Sequence, residues 1–405
     1  MNNKSVIISG TGAYVPEKKL TNEDISKFVD TTDEWIYTRS GIKERRIAGK
    51  GEAASALGVE AAKRALDSAG IRPEDVELVI VTTVTPDMMF PSTACLLQAK
   101  LGIRNNIPCF DIEAACSGFV YGLEVASKMM RSGYYKNALV VSAEKMSSML
   151  DWDDRNTCVL FGDGAGAVVL SLSDEQGAGI LDTVLGSDGS RQITLEIPAG
   201  GSAIPTTHET LDSKLNCIKM DGRDVFKQAV KIMGEKAFEV LERYGVSPDD
   251  LKLLIPHQAN TRIIESVAKR LKLPLEKVFV NIEKYGNTSS ASIPIALDEA
   301  IRAGRIAKGD YILFVAFGAG LTWGATWSSG TERAAFASVW DFCGGRLNIF
   351  LRGPSFGGAA LFLRAAGSCF GLKTGPGYAM HGAGTKLHWD YFRLPPFLPC
   401  APATA

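Results

Sequence analysis

The sequence predicts an α/β protein built from two duplicated halves, each a mostly parallel, buried sheet with helices on both faces. Three internal echoes carry this reading. The segment "AGIRPEDVELVIV" at 69–81 returns as "YGVSPDDLKLLIP" at 244–256, with its Gly, Pro, Asp and apolar positions kept. "FDIEAACSG" from 110 is answered by "VNIEKYGNTS" from 280, which sets Cys116 opposite Gly286 and Asn287. "YKNALVVSAE" followed by "GDGAGAVVL" is answered by "KGDYILFVAFGAGLTWG". A length of 405 residues suits two such units. The expected division is 1–175, 176–327 and a C-terminal extension, 328–405.

The elements follow in order. Each copy of the first echo is preceded by an amphipathic stretch, "ALGVEAAKRALDSAG" or "KIMGEKAFEVLERYG", so each reads as helix, tight turn and buried strand. Residues 107–113, "IPCFDIE", read as another buried strand, and beyond Ser117 the apolar Val120, Leu123 and Met130 recur at roughly helical spacing. Cys116 falls at the corner between them. A thiol at a helix N-terminus meets unpaired N–H groups and the positive end of the helix dipole, which favour thiolate and make Cys116 a candidate nucleophile. The alternative is a packing residue, as assumed for Cys95, Cys109, Cys158 and Cys217. "LIPHQANTRII" sets His257 just past a buried strand, and "NIEKYGNTSSASIP" sets Asn287 past the next. Loops at the carboxyl ends of strands are where such folds build sites. A pseudo-twofold axis would bring Cys116, His257 and Asn287 together, and the glycine-rich 317–324 would add backbone N–H groups for an oxyanion hole. That stretch lacks the Lys-Ser/Thr of a phosphate loop, and "FGDGAG" at 161–166 lacks dinucleotide-binding spacing.

Composition narrows the partners. Lys plus Arg number 44 and Asp plus Glu 45, a balance that gives no electrostatic case for nucleic acid or an anionic membrane. The N-terminal apolar run is too short for a signal peptide and no stretch approaches a membrane span, so a cytoplasmic protein is expected. Eight cysteines without a C-x-x-C pair argue against a disulfide framework or a structural zinc site, and no metal is expected.

Four motifs in register, "AACSGF", "PHQAN", "GNTSSASIP" and "FGAGLTWG", resemble the β-ketoacyl-acyl-carrier-protein synthase III family, together with the N-terminal "DEWIYTRSGIKERR". The resemblance covers roughly residues 5–327. It implies a thiolase-like αβαβα fold, a homodimer, and a Cys-His-Asn site at Cys116, His257 and Asn287. It implies that Trp35 and Arg155 hold the adenine of coenzyme A between them, with Arg39 on its phosphates and Asn260 a further contact. The backbone N–H groups of Cys116 and Ala319 would form the oxyanion hole. Phe90 would cross the dimer interface and limit the acyl pocket. Lys227, Arg262 and Lys269 would dock an acidic acyl-carrier protein, although a solvated helix face is the plainer reading of those three. The implied reaction starts type II fatty-acid synthesis from acetyl-CoA or another short acyl-CoA and malonyl-acyl-carrier protein, without a metal or redox cofactor. The alternatives are a non-decarboxylating acyltransferase or starter-unit enzyme of secondary metabolism, for which Asn287 would be superfluous, and a silent partner subunit, for which Cys116 would be.

The extension departs from that pattern. From Ser328 it carries twelve aromatics against seven basic and three acidic residues without a sustained period, which fits neither a packed domain nor an ordinary disordered tail.

Overall fold

The computed structural model describes residues 4–330 and, beyond them, the strands 348–351, 360–365 and 368–373. The chain divides into two compact units, 1–339 and 340–405.

The first unit begins with β1 (Ser5–Tyr14), α1 (Asp33–Ser40), α2 (Ala54–Ala69), β2 (Leu78–Thr82), α3 (Thr93–Leu101) and β3 (Cys109–Ile112). It continues through α4 (Gly118–Arg131), β4 (Asn137–Lys145) and β5 (Asp163–Ser173). The second half follows with β6 (Ile180–Ser187), α5 (Gly222–Arg243), β7 (Leu251–Pro256), α6 (Thr261–Arg270), α7 (Ser292–Arg302), β8 (Tyr311–Gly318) and β9 (Thr322–Ser329).

The duplication is visible in the sheets. The first sheet runs β1-β5-β4-β2-β3 and the second, read from the matching end, β6-β9-β8-β7, with Val278 bridging Leu254 where β3 stands in the first copy. The repeated Gly-x-x-Pro-x-Asp does the same work twice. Gly70 and Gly245 take the left-handed φ, +64° and +62°, that ends a helix at little cost, and a short 3₁₀ turn at Pro73–Asp75 or Pro248–Asp250 then feeds the buried strand. The turns before α4 and α7 also match: Ala115 (φ +45°) and Ser289 (φ +50°) are the left-handed residues in each. They lie 174 residues apart, so the structural counterpart of Cys116 is Ser290. The sequence echo had aligned Cys116 with Gly286 and Asn287 because it matched the preceding Ile-Glu pairs across a loop of different length.

Both sheets are mixed. β2 pairs in parallel with β3 and β4, and β7 with β8, while β5, β9 and the outer β1 and β6 run antiparallel to their neighbours. The parallel pairs lie on the side that carries Cys116 and His257. Apolar faces then stack the elements into five layers. α2 and α3 cover the outer face of the first sheet, α5 and α6 the outer face of the second, and α4 and α7 are sandwiched between the sheets. Burial on two sides explains why α4 keeps Phe119, Val120, Leu123 and Met130 free of solvent, with Phe119 edge-on to Phe314 of β8 at 6.1 Å. Both central helices therefore point their N-termini from fixed positions into the same region of the interface.

β9 runs past the expected boundary at 327. Ser328 Oγ donates to Gly179 O (3.0 Å), Gly179 N donates to Ser329 Oγ (2.9 Å), and Gly330 N donates to Asp310 O (2.7 Å), so the last strand closes at 330. Within the second unit, three strands form an antiparallel sheet, Asn348–Leu351 against Ala360–Ala365 against Ser368–Lys373. The remainder of the 328–405 extension lies outside the described residues.

Candidate active site

Cys116 occupies the 3₁₀ turn between β3 and α4, and the turn is fixed from several sides. Ala115 N donates to Glu113 Oε1 (3.0 Å), Ser117 N to Ala114 O (3.0 Å), and Thr322 Oγ1 to Ala114 O (2.9 Å). Gly318 presses against it so closely that a Cβ there would lie 2.6 Å from Cys116 N. The helix-end position favours thiolate as the sequence suggested, but burial outweighs it and pushes the thiol up to about 12. The nearby Ser289 hydroxyl eases that rise, and Glu144 and Glu113 add to it. Burial and the helix end thus pull the Cys116 thiol in opposite directions.

His257 follows β7, where its N–H donates to Val315 O of β8 (2.8 Å). The ring is buried, and burial lowers its pKa to about 3, so the imidazole is neutral. Its Nδ1 lies 2.7 Å from Ser292 Oγ. Asn287 is held by its backbone to the 160–162 stretch, donating to Leu160 O (2.8 Å) and accepting from Gly162 N (3.0 Å). Its Oδ1 accepts from Ser289 N (2.8 Å), which commits the carbonyl end of the side chain and leaves the amide NH₂ as the end available to a ligand. Cys116, His257 and Asn287 line one cavity of about 850 Å³.

The outer wall of that cavity includes Trp35, Arg39, Asn260 and Arg262. Asn260 caps α6 by accepting from Arg262 N (2.9 Å), and its Nδ2 donates to Arg39 O (2.7 Å), tying α6 to the end of α1. Arg39 lies 4.5 Å and Arg155 5.1 Å from the centre of the Trp35 ring, and Arg155 Nη1 also donates to Asp30 O (3.0 Å). At that spacing no flat base fits between Trp35 and Arg155 unless the arginine moves. Arg155 itself does not line the cavity; its neighbour Asn156 does. Arg262 lies over Phe226 at 5.2 Å, which brings the starts of α5 and α6 together at the cavity wall with Lys227 exposed beside them. Lys269 is exposed two turns along α6, about 10 Å farther away. Ala319 sits half-buried in the β8–β9 turn, next to the Gly318 that abuts Cys116. Phe90 is 84% exposed with Met89 beside it at 81%, and it does not line the cavity of its own chain.

Three residues at the site escaped the sequence reading: Ser292, Ser289 and Glu144. Glu144, buried at the end of β4, accepts from Ser290 Oγ (2.6 Å), Thr85 Oγ1 (2.8 Å), Val84 N (3.1 Å) and Thr83 Oγ1 (3.2 Å), and burial raises its pKa. It pins the turn before α7 to the loop after β2. The lone acid closing the apolar run "ALVVSAE" was the signal available for it. Among the described residues, no group of three or more His, Cys, Asp and Glu could hold a metal, and the five described cysteines are free.

A cysteine at the inner helix end of two stacked, duplicated α/β halves places the chain in the thiolase-type class. Comparison with known proteins narrows that class. Residues 110–189 match the family described as 3-oxoacyl-[acyl-carrier-protein (ACP)] synthase III, and residues 241–328 match its C-terminal part. A β-ketoacyl-[acyl-carrier-protein] synthase III of Caldanaerobacter subterraneus subsp. tengcongensis is 58% identical over 319 residues, covering 79% of this chain and 96% of that protein. The crystal structure of 3-oxoacyl-[acyl-carrier-protein] synthase III from Aquifex aeolicus VF5 is 50% identical, covering 81% of this chain and all of that one, with a TM-score of 0.74. The priming β-ketosynthase of the R1128 polyketide pathway is more distant, at 37% identity over 82% of this chain and 97% of that one, with a TM-score of 0.75. The chain belongs to the 3-oxoacyl-acyl-carrier-protein synthase III family.

Proposed function

We propose that the protein condenses a short acyl-CoA, acetyl-CoA first among them, with malonyl-acyl-carrier protein, losing carbon dioxide and giving the β-ketoacyl-acyl-carrier protein that initiates type II fatty-acid synthesis. The observation that carries this reading is one cavity lined by a thiol and by two neutral side chains able to donate. Cys116 attacks the thioester carbonyl, the developing oxyanion is held by backbone N–H groups of Cys116 and Ala319, and the thiol proton leaves with coenzyme A. In the second half-reaction malonyl-acyl-carrier protein loses carbon dioxide, and His257 and Asn287 donate to the thioester oxygen on which enolate charge develops. Asn cannot act as a base, so its presence beside a neutral His favours enolate stabilisation over proton abstraction. The enolate carbon then attacks the acetyl group on Cys116 and expels the thiolate, which takes one proton from water to restore the thiol. These groups, the substrates and that proton account for every bond made or broken, and the reading calls for no metal or redox cofactor.

Trp35, Arg39, Arg155 and Asn260 are the coenzyme A contacts in this reading, and Lys227, Arg262 and Lys269 receive the carrier protein. The exposed Met89 and Phe90 support a homodimer in which Phe90 reaches the partner's acyl pocket. A cytoplasmic site of action accords with the absence, among the described residues, of a helix long and apolar enough to cross a membrane. Purified protein given acetyl-CoA and malonyl-acyl-carrier protein should release carbon dioxide and β-ketoacyl product together. Acetyl transfer without carbon dioxide would favour the starter-unit acyltransferase instead.

A further inference from the structure

The hydroxyl of Ser292 has two polar neighbours, and together they decide where the proton sits on His257. Ser292 is the first residue of α7, and it is buried. Its Oγ lies 3.2 Å from the backbone nitrogen of Gln258 and 2.7 Å from His257 Nδ1. A backbone N–H can only donate, so Ser292 Oγ accepts from Gln258. Its one O–H proton then has a single acceptor within reach, the Nδ1 lone pair. The reverse arrangement, with the proton on Nδ1, would leave a buried hydroxyl proton with no acceptor. The Gln258 backbone cannot swing away to relieve that conflict. Gln258 Nε2 donates to Pro256 O (2.8 Å) and Phe279 O (3.1 Å), and Oε1 accepts from Asn281 N (3.0 Å), which locks the residue on three sides.

We propose that Ser292 is a positioning residue that holds His257 as the Nε2–H tautomer, so that the ring presents a donor, never a base, to the substrate. Sequence assigns it no role, since it is one of several small polar residues in "NTSSASIP". The consequence is a division of labour in time. An Nε2–H imidazole donates to the enolate oxygen as soon as charge develops there, but it cannot take the thiol proton from Cys116 during acyl transfer. Asn287 is set in the same manner, its carbonyl end spent on Ser289 N and its amide end left to donate. The two donors are thus oriented by the same short stretch, 289–292, leading into α7. This inference rests on the condensation reading above.

Nitrogen-15 NMR of the side chains in histidine-labelled full-length protein reads the tautomer directly, and with four histidines in the chain the His257 signals are assignable by comparison with His257→Ala. The expected pattern is a protonated Nε2 and an unprotonated Nδ1 from pH 6 to 8. In Ser292→Ala, malonyl decarboxylation should fall at least tenfold, acetylation of Cys116 should fall much less, and the Nδ1 resonance should move. Ser292→Thr, which keeps the hydroxyl, should restore both. A wild-type His257 carrying its proton on Nδ1 would overturn the proposal whether or not any variant folds. So would a Ser292→Ala enzyme with undiminished decarboxylation, or a Ser292→Thr enzyme as slow as the alanine variant despite an Nε2–H pattern. Failure of the wild type to condense at all would instead remove the functional reading, and the NMR pattern separates the two cases.

Discussion

Gly318→Ala tests whether the floor of the site is as tight as its geometry indicates. A Cβ at position 318 would lie 2.6 Å from the Cys116 nitrogen, 3.1 Å from Cys116 Cβ and 3.2 Å from Ala115 Cβ, whereas ordinary contact begins near 3.4 Å. Gly318 is not among the residues with positive φ, so alanine suits its backbone and the effect is one of space. The strand and the Cys116 turn would have to part by about 0.8 Å at the closest contact. Neither side yields easily, because the turn is fixed by Glu113 and Thr322 and the strand is paired on both edges. Overpacking of this kind costs about 1–3 kcal/mol of stability. A displacement approaching 1 Å at a nucleophile costs about 100-fold in rate. Urea unfolding and the rate of Cys116 acetylation by acetyl-CoA, followed by mass spectrometry, measure the two effects separately. A Gly318→Ala protein that acetylates within threefold of the wild type would refute the close-packed floor.

Other outcomes follow from the same geometry. The raised pKa of Cys116 means that the thiolate fraction still grows through the neutral range, so alkylation by iodoacetamide should speed up about tenfold per pH unit from pH 7 to 10; a plateau below pH 8 would contradict the buried thiol. Arg155→Ala and Trp35→Ala should raise KM for acetyl-CoA about fivefold to thirtyfold, as loss of ~1–2 kcal/mol of stacking implies, with little change in the response to malonyl-acyl-carrier protein. A fall in kcat alone would assign them elsewhere. A chain ending at Gly330 should fold and condense, whereas one ending at Trp327 should be about 2–4 kcal/mol less stable, since it lacks the hydrogen bonds of Ser328, Ser329 and Gly330. Equal melting temperatures for the two would show that the strand end contributes nothing.

The parts of the molecule legible in the sequence are those set by local pattern. The helix–Gly–Pro–strand unit is written twice, and both copies fold alike because left-handed Gly70 and Gly245 and the 3₁₀ turns at Pro73 and Pro248 are local choices. That Cys116, His257 and Asn287 line one cavity was legible because each follows a buried strand in a topology that gathers strand ends. Strand direction was not legible, since a buried apolar run such as "ILFVAF" reads the same in a parallel or antiparallel pair. The burial of the thiol was not legible, because the helix dipole is a local cue while the burial that raises its pKa comes from residues such as Gly318, some two hundred positions away. Ser292 and Glu144 were missed for the same reason. Their roles lie in partners, His257 Nδ1 in one case and the Ser290 hydroxyl in the other, that only the packing of α7 between the sheets brings near.

A single-turnover chase tests the central claim most directly. Protein loaded with isotopically labelled acetyl-CoA, freed of excess and digested, should carry the label on the peptide containing Cys116. When malonyl-acyl-carrier protein is added to a parallel sample, the label should leave that peptide and appear in β-ketoacyl-acyl-carrier protein, with one carbon dioxide released for each acetyl group transferred. Label on a different cysteine, or label that leaves Cys116 as free acetate without an equivalent of carbon dioxide, would contradict the account.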